Sequence, residues 1–289
     1  MHYRQYKSIL SPQNRMNIYR GCTHGCIYCD SRSECYSFAH PFEDIEVKQN
    51  AVQLLESELI RKRKKCVIST GSMSDPYMHA ENELMLTRKC AELADRHGFG
   101  FTFLTKSAGF LRDIDIFRSI NEKSKCTVQM TLTSYDEDLC GILEPSVSSS
   151  RQRFQALTEL KKCSIPSVVW ICPVLPFIND TQENLRGLLE YCAEAGVYGI
   201  LCFGFGVTLR EGSRDYFYRN LDEYFPGMKE RYIKTFGNSY FCMSPENDKL
   251  TRTLHSECAR LGIVCDNRKI FEYLGAFEEK GRSEQLTFF

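Results

Sequence analysis

Cys22, Cys26 and Cys29 stand in GCTHGCIYCDSR with three and then two residues between them, in a glycine-containing tract that also holds Tyr28 and, six residues on, Cys35. Three thiolates this close in a loop can converge on one inorganic centre, and soft sulfur ligands select zinc, Cu(I) or iron–sulfur. A structural zinc ion needs a fourth ligand, for which Cys35 and His24 are the candidates. A [4Fe-4S] cluster held by three cysteines instead leaves one iron open to a cofactor or substrate. A disulfide or simply buried thiols are the remaining readings. Fifteen cysteines without an N-terminal apolar stretch imply a reducing compartment, so a cytoplasmic protein with no membrane contact is expected.

Other residues with chemical potential sit where apolar runs end. Ser69, Thr70, Gly71 and Ser72 follow CVI, Lys106 follows FLT, and Thr131 closes a β-branched run. Asp75 and Tyr77 flank a proline in a turn-forming segment that is also suited to touch a substrate. Arg153 follows EPSVSSS and can either clamp a carboxylate or pair with Glu144. Lysine plus arginine equals aspartate plus glutamate at 37 each, so the chain lacks the global basic field usual in nucleic-acid binding. The block from Arg61 to Lys65 reads as cations at a helix C-terminus. Cys242, Cys258 and Cys265 have spacings that match no compact ligand motif, and read as core or inert thiols.

These residues need a scaffold, and the periodicity supplies one. CVIST (66–70), GFTFLT (100–105), CTVQMTLT (126–133), SVVWICPV (167–174) and YGILCFGF (198–205) read as buried parallel strands, with MNIYR (16–20) as a short first strand. Helical patterns occupy 47–64, 82–97, 109–121, 151–162 and 182–195, giving six β/α units. Such units close into a full or partial barrel or lie as an open doubly wound sheet, and periodicity does not choose. Either way, ligands bind beyond the strands' carboxyl ends, where the residues named above fall. After residue 206 the pattern changes to helices at 212–224 and 246–261 around a turn-rich join, YFPGMKERY. The division expected is a core domain of residues 1–206 and a C-terminal extension, 207–289, packed on it.

YRGCTHGCIYCDSR, GSMSDPYMHAENELMLTR, FLTKS, LRDIDIF, EPSVSSSRQR and CPVLPFIND resemble, in that order, segments of the spore photoproduct lyase-like (DNA repair photolyase-like) proteins of the radical S-adenosylmethionine (radical SAM) superfamily. The resemblance spans roughly residues 15–210. It implies an α/β fold, a partial (β/α)6 barrel with a helical C-terminal extension. It also implies a [4Fe-4S] cluster on Cys22, Cys26 and Cys29 whose open iron chelates SAM, and reductive cleavage of SAM to a 5′-deoxyadenosyl radical that abstracts hydrogen from a substrate. On the same resemblance Tyr28 lies beside the adenine, Ser69 to Ser72 beside the methionine part, and Lys106, Thr131 and Arg153 near the SAM carboxylate. Asp75 or Tyr77 would touch substrate. The partners implied are an electron donor such as flavodoxin or ferredoxin and a substrate that includes nucleic acid among the candidate classes. A non-catalytic zinc module remains the alternative from a different class.

The resemblance breaks at one position. Spore photoproduct lyases place a hydrogen-donating cysteine immediately before Ser-Asp, where this chain has Met73. A thioether has no S–H to give, and Cys66 is at the far end of the strand. Repair of a DNA photoproduct, a lyase reaction, therefore does not follow from the fold, and the substrate is left unassigned.

Overall fold

The structure, a computed structural model, describes residues 1–280. Along the chain the first elements are strands His2–Arg4 (β1), Arg15–Met16 (β2), Tyr19–Arg20 (β3) and Glu46–Lys48 (β4), then helix Ala51–Arg61 (α1) and strand Val67–Thr70 (β5). Helices Glu81–Leu84 (α2) and Leu86–Arg96 (α3) lead to strand Gly100–Thr105 (β6), helix Ile114–Lys123 (α4) and strand Cys126–Thr131 (β7). Helices Glu137–Leu143 (α5) and Ser150–Lys162 (α6), strand Ser167–Trp170 (β8), helix Gln182–Ala195 (α7) and strand Gly199–Leu201 (β9) complete the repeating part. Strand Gly206–Thr208 (β10), helices Ser213–Tyr224 (α8) and Met228–Phe236 (α9), strand Phe241–Met243 (β11), and helices Asn247–Leu261 (α10) and Asn267–Gly275 (α11) follow.

Six strands form one parallel sheet in the order β2-β5-β6-β7-β8-β9. This is the partial barrel expected, open between β2 and β9. The central strands are buried on both faces, apolar where helices cover the outside, and every residue of β7 is buried. Phe101, Phe103, Val128, Val169 and Ile200 belong to one continuous core with Leu157, Leu160, Leu188 and Leu189 of the surrounding helices. The concave face is more polar. Gln129 there donates to Thr102 Oγ1 at 2.9 Å and accepts from Trp170 Nε1 at 3.0 Å.

Local chemistry explains where the elements differ from expectation. The helix expected over 82–97 is broken at Met85, whose φ is +54°. The Glu81 carboxylate takes the free amides of the second helix, Leu86 N at 3.1 Å and Thr87 N at 2.9 Å. MNIYR is not one strand: Arg15–Met16 joins the barrel, whereas Tyr19–Arg20 pairs antiparallel with β4 in a separate sheet ordered β1-β4-β3. Residues 46–48 are therefore strand, and the first helix begins at Ala51 rather than 47. The start of α6 is sharp, since Ser149 and Gln152 form a reciprocal capping box.

Beyond residue 206 the helices at 213–224 and 247–261 match expectation, while the join contains α9, and β10 and β11 pair as an antiparallel ribbon. Val207, Leu209, Phe217, Leu221, Tyr232 and Cys242 of this region share a core with Cys26, Ile27, Tyr28, Leu143 and Leu175. Helix α11 packs Ile270 and Leu274 on Val168 and Leu201. Among the described residues no helix is long and apolar enough to cross a membrane.

Candidate active site

The cysteine loop leaves β3 through Gly21, whose φ is +86° and whose position allows no Cβ: one built there falls 2.3 Å from the Phe42 carbonyl oxygen. That same carbonyl accepts the Cys22 N–H at 3.2 Å, so the loop is pinned at its first ligand. Further on, Ile27 N donates to Leu143 O at 3.0 Å and Ser146 N to His24 O at 3.2 Å, fixing the loop against the segment after α5.

A cavity of about 130 Å³ at the carboxyl ends of β5, β6 and β7 is lined by Cys22, Cys26 and Cys29 together with Gly71, Ser72, Met73, Asp75, Lys106 and Thr131. His24, Ser31, Ser74, Leu104 and Thr105 complete the wall. The three thiols thus face one space. Among the described residues they do not approach to within 4.8 Å of one another as a set of three, whereas His2, His40 and Asp44 do. Two thiolates on one tetrahedral zinc ion, with bonds of about 2.3 Å, sit about 3.8 Å apart. As a set the three thiols therefore stand wider apart than the ligands of a single zinc ion. Cys35 is excluded as a fourth ligand by its contacts: it is exposed and accepts from Arg210 Nη1 at 3.3 Å, away from this cavity.

Burial dominates the thiols' acidity. It pushes the Cys26 and Cys29 pKa values up, against the Lys106 charge. Burial opposes the Cys22 thiolate too, but the hydrogen bond and charge of His24 outweigh it and hold that pKa below the ordinary value. His24 is itself carried up to about 10: burial works against its charge, and the neighbouring Asp75 and Cys22 overcome that. Its Nδ1 lies 3.4 Å from Asp75 Oδ2.

Asp75 is the hub of the opposite wall. Its carboxylate accepts from Thr105 Oγ1 and Lys106 N, both at 2.7 Å, and from Tyr77 N at 2.8 Å. Burial would raise its pKa, yet His24 and these donors bring it down to about 2. It ties the ends of β5 and β6 together beside the cysteines. Tyr77 does not line the cavity: its ring packs on Phe103 and Phe110, and its hydroxyl donates to Asp113 Oδ2 at 3.0 Å.

Lys106 projects toward the cysteines with its ammonium 5.8 Å from the Tyr28 ring centroid. Among the described residues it has no ion-pair partner within 4.0 Å. Burial works against its charge, but Cys26, Glu144 and Asp75 raise its pKa, so it stays cationic. A cation set at the end of a strand without a carboxylate of its own is suited to an anionic ligand group. Gly71, at φ +98°, is where the wall comes closest: an added Cβ would lie 2.2 Å from Leu104 O. Ser69 and Thr70 line a neighbouring cavity of about 270 Å³, with Gln13, Arg15, Thr102, Gln129 and Trp170 from strands β2 to β8 and their flanks, and Phe271 from α11. The two cavities share Ser72 and Leu104.

Tyr28 and Arg153 lie beneath the cavity rather than in it. Tyr28 is buried and its hydroxyl donates to Glu144. The Arg153 guanidinium is spent inside the protein: Nη2 pairs with Glu144, Nη1 donates to Thr131 O at 2.8 Å and Nε to Ser148 O at 2.7 Å. Of the two roles open to Arg153, pairing with Glu144 is the one its contacts support. Through Thr131 it positions the cavity wall. His24 entered the sequence reading only as a fourth zinc ligand; its burial between two cysteines and its pairing with Asp75, 51 positions on, are visible only in three dimensions.

Comparison with known proteins bears on the family and the fold. The profile of the Radical SAM superfamily matches residues 16–211. An uncharacterized protein of Mycobacterium tuberculosis is 26% identical over 259 residues, covering 88% of this chain and 76% of that one. An uncharacterized protein of Methanocaldococcus jannaschii is 30% identical over 169 residues, covering 58% and 62%. Among solved structures, a spore photoproduct lyase mutant with dinucleoside spore photoproduct superposes with a TM-score of 0.63 at 16% identity, covering 88% of this chain and 76% of that one. A second mutant of that lyase, with bound AdoMet and dinucleoside spore photoproduct, gives 0.59 at 15% identity, covering 85% and 72%.

Proposed function

Because this chain belongs to the radical SAM superfamily and has a fold like that of spore photoproduct lyase, we propose that Cys22, Cys26 and Cys29 hold a [4Fe-4S] cluster and that the cavity they line binds SAM. The observation that carries the reading is the convergence on one cavity at the strand ends of these three thiols and the Lys106 ammonium, which has no ion-pair partner among the described residues. When bound, cluster and SAM together supply one-electron reductive cleavage of a carbon–sulfur bond and, from it, a carbon radical able to take hydrogen from a substrate.

The chain's own residues bind, orient and exclude. Lys106 offers its ammonium to the SAM carboxylate, with Thr131 beside it. Gly71 and Ser72 allow a ligand to lie against backbone. Asp75 and His24 hold the β5 and β6 ends against the cysteine loop, and Glu144 with Arg153 supports the floor. Substrate approaches through the larger cavity walled by β2, β5 to β8 and α11, which adjoins the cysteines at Ser72 and Leu104. Gln13, Arg15, Gln129, Trp170 and Phe271 line that approach and replace Tyr77 as candidates for substrate contact. Met73 lines the cysteine cavity where a hydrogen-donating cysteine would be needed. The proposal therefore covers hydrogen abstraction and leaves photoproduct repair out. A one-electron reductant is required, and flavodoxin or ferredoxin fits that role. Residues 1–206 are proposed as the catalytic core, with 207–289 as the extension that backs the cysteine loop.

The test is anaerobic reconstitution followed by dithionite and SAM. The expected result is a [4Fe-4S] paramagnetic signal that SAM perturbs, with 5′-deoxyadenosine as product. Fully reconstituted protein that never cleaves SAM under any reductant overturns the reading.

A further inference from the structure

A second set of metal-binding side chains gathers on the β1-β4-β3 sheet. One donor atom from each of His2, His40 and Asp44 lies within 4.8 Å of the other two. Neighbouring contacts sort the atoms. His40 Nδ1 is 2.9 Å from the Pro41 carbonyl oxygen, so that nitrogen carries the proton and Nε2 keeps its lone pair. Asp44 Oδ1 is held by the Met1 amino group at 2.7 Å, which leaves Oδ2, 3.0 Å from His2 Nδ1, turned toward the imidazoles. His2 Nε2 faces Glu46 Oε2 at 3.7 Å, and Glu46 is buried and bonded to the Tyr6 hydroxyl.

Donors on one tetrahedral ion, with bonds of about 2.0–2.1 Å, sit about 3.3 Å apart, so the His2 and Asp44 atoms already stand near ligand spacing. Both rings also direct their other nitrogen at an oxygen acceptor, Pro41 O and Glu46, as metal-bound histidines do. A surface network of hydrogen bonds would explain the His2–Asp44 contact alone. Within that network His40 Nε2 makes no hydrogen bond: Glu46 Oε2, the carboxylate oxygen it faces, is 4.0 Å away, and the two ring centroids are 4.6 Å apart.

We propose that His2 Nδ1, His40 Nε2 and Asp44 Oδ2 form a site for a divalent first-row transition ion of the zinc class, with the fourth position left to water. Imidazole and carboxylate donors suit such an ion better than calcium or magnesium. Placement gives the site a role. Phe42, between two of the ligands, is the residue whose carbonyl holds the Cys22 amide, so the ion braces the strut on which the cysteine loop rests. The site is independent of the SAM reading, and no cysteine takes part.

Protein with its cysteine cluster loaded, expressed without an N-terminal tag, is dialysed against equimolar zinc and analysed for bound metal. The expected result is one zinc ion per chain, with affinity reduced roughly tenfold or more in His40→Ala and in Asp44→Asn. Zinc should raise the unfolding midpoint of the wild type and leave that of His40→Ala unchanged. Cluster absorbance checks that the variants fold, and His40→Gln replaces His40→Ala if it does not. Wild type that retains no zinc overturns the proposal, as does zinc held equally by folded His40 and Asp44 variants. So does zinc lost only when Cys22, Cys26 and Cys29 are replaced.

Discussion

Arg153→Met removes a charge that sits wholly inside the protein. Both Arg153 and Glu144 have fully buried side chains, and the guanidinium holds the Glu144 carboxylate and the carbonyls of Thr131 and Ser148. Methionine fills much of the stem's volume but leaves the carboxylate with Tyr28, Thr133, whose hydroxyl is 3.2 Å away, and the Cys140 thiol at 3.7 Å. Breaking a buried pair by removing one partner costs about 3–5 kcal/mol. That is a large share of the roughly 5–15 kcal/mol that holds a protein folded. For a chain this long it corresponds to a fall of roughly 6–20 °C in midpoint. Urea unfolding of the reduced apoprotein without oxygen, followed by far-ultraviolet circular dichroism and by fluorescence of the single tryptophan, Trp170, measures it. The sign with pH follows. In the wild type Arg153 outweighs burial and holds the Glu144 pKa below the ordinary 4.5, so the pair's stability is present above that value and is lost as pH falls through the lower folded value. In the variant burial is opposed by Lys106 and the Tyr28 hydroxyl but no longer by Arg153, so the pKa rises and the gap between wild type and variant narrows as pH falls. Glu144→Gln in the Arg153→Met background should recover part of the loss. A single-variant loss under about 1 kcal/mol, or a double variant no better than the single, refutes the reasoning.

Three further outcomes follow from the site. Gly71→Ala requires a Cβ 2.2 Å from the Leu104 oxygen at φ +98°, so the β5 and β6 ends must separate; SAM binding, read by anaerobic equilibrium dialysis, should fall below detection while iron content persists. Lys106→Ala should weaken SAM binding roughly 10- to 100-fold by removing a charge-assisted contact of about 1.5–3 kcal/mol, with the cluster's visible absorbance unchanged; equal affinity removes Lys106 from the site. Cys26→Ala should abolish iron and sulfide retention on reconstitution, whereas Cys35→Ala should retain both, since Cys35 contacts Arg210 and not the cavity.

The barrel strands and most helices were legible in the sequence because strands buried on both faces read as continuous apolar runs, and β7 is buried at every position. The three cysteines, Lys106 and Thr131 were legible because chemistry at strand ends is local in sequence, and they do meet at one cavity. What sequence could not resolve depends on distant partners. Tyr77 and Asp75 are two residues apart, yet one turns into the aromatic core with Asp113 and the other into the cavity with Thr105. The break at Met85 is set by Glu81 capping the following helix, which helical periodicity does not encode. The N-terminal sheet joins residues 2–4 to 46–48, a pairing without a periodic signature in so short a strand.

The C-terminal region bears on the same point from the side of energetics. Ile27 and Tyr28, in the midst of the cysteine triad, are buried with Val207, Phe217, Leu221 and Tyr232, all contributed by residues beyond 206. Tyr232 also donates to Pro176 O at 2.9 Å, joining α9 to the loop after β8. The cysteine motif is contiguous in sequence, but the surface on which it rests is supplied by two regions of the chain. Removing residues 207–289 would expose the Ile27 and Tyr28 side chains, each worth about 1.5–3 kcal/mol when buried, and would strip the backing from the loop that must hold three thiols at fixed separation. A truncated protein of residues 1–206 should therefore retain less iron on reconstitution than the full chain, even with Cys22, Cys26 and Cys29 intact. Full iron retention by a folded truncation would show that the loop's own hydrogen bonds to Phe42 and Leu143 suffice to hold it.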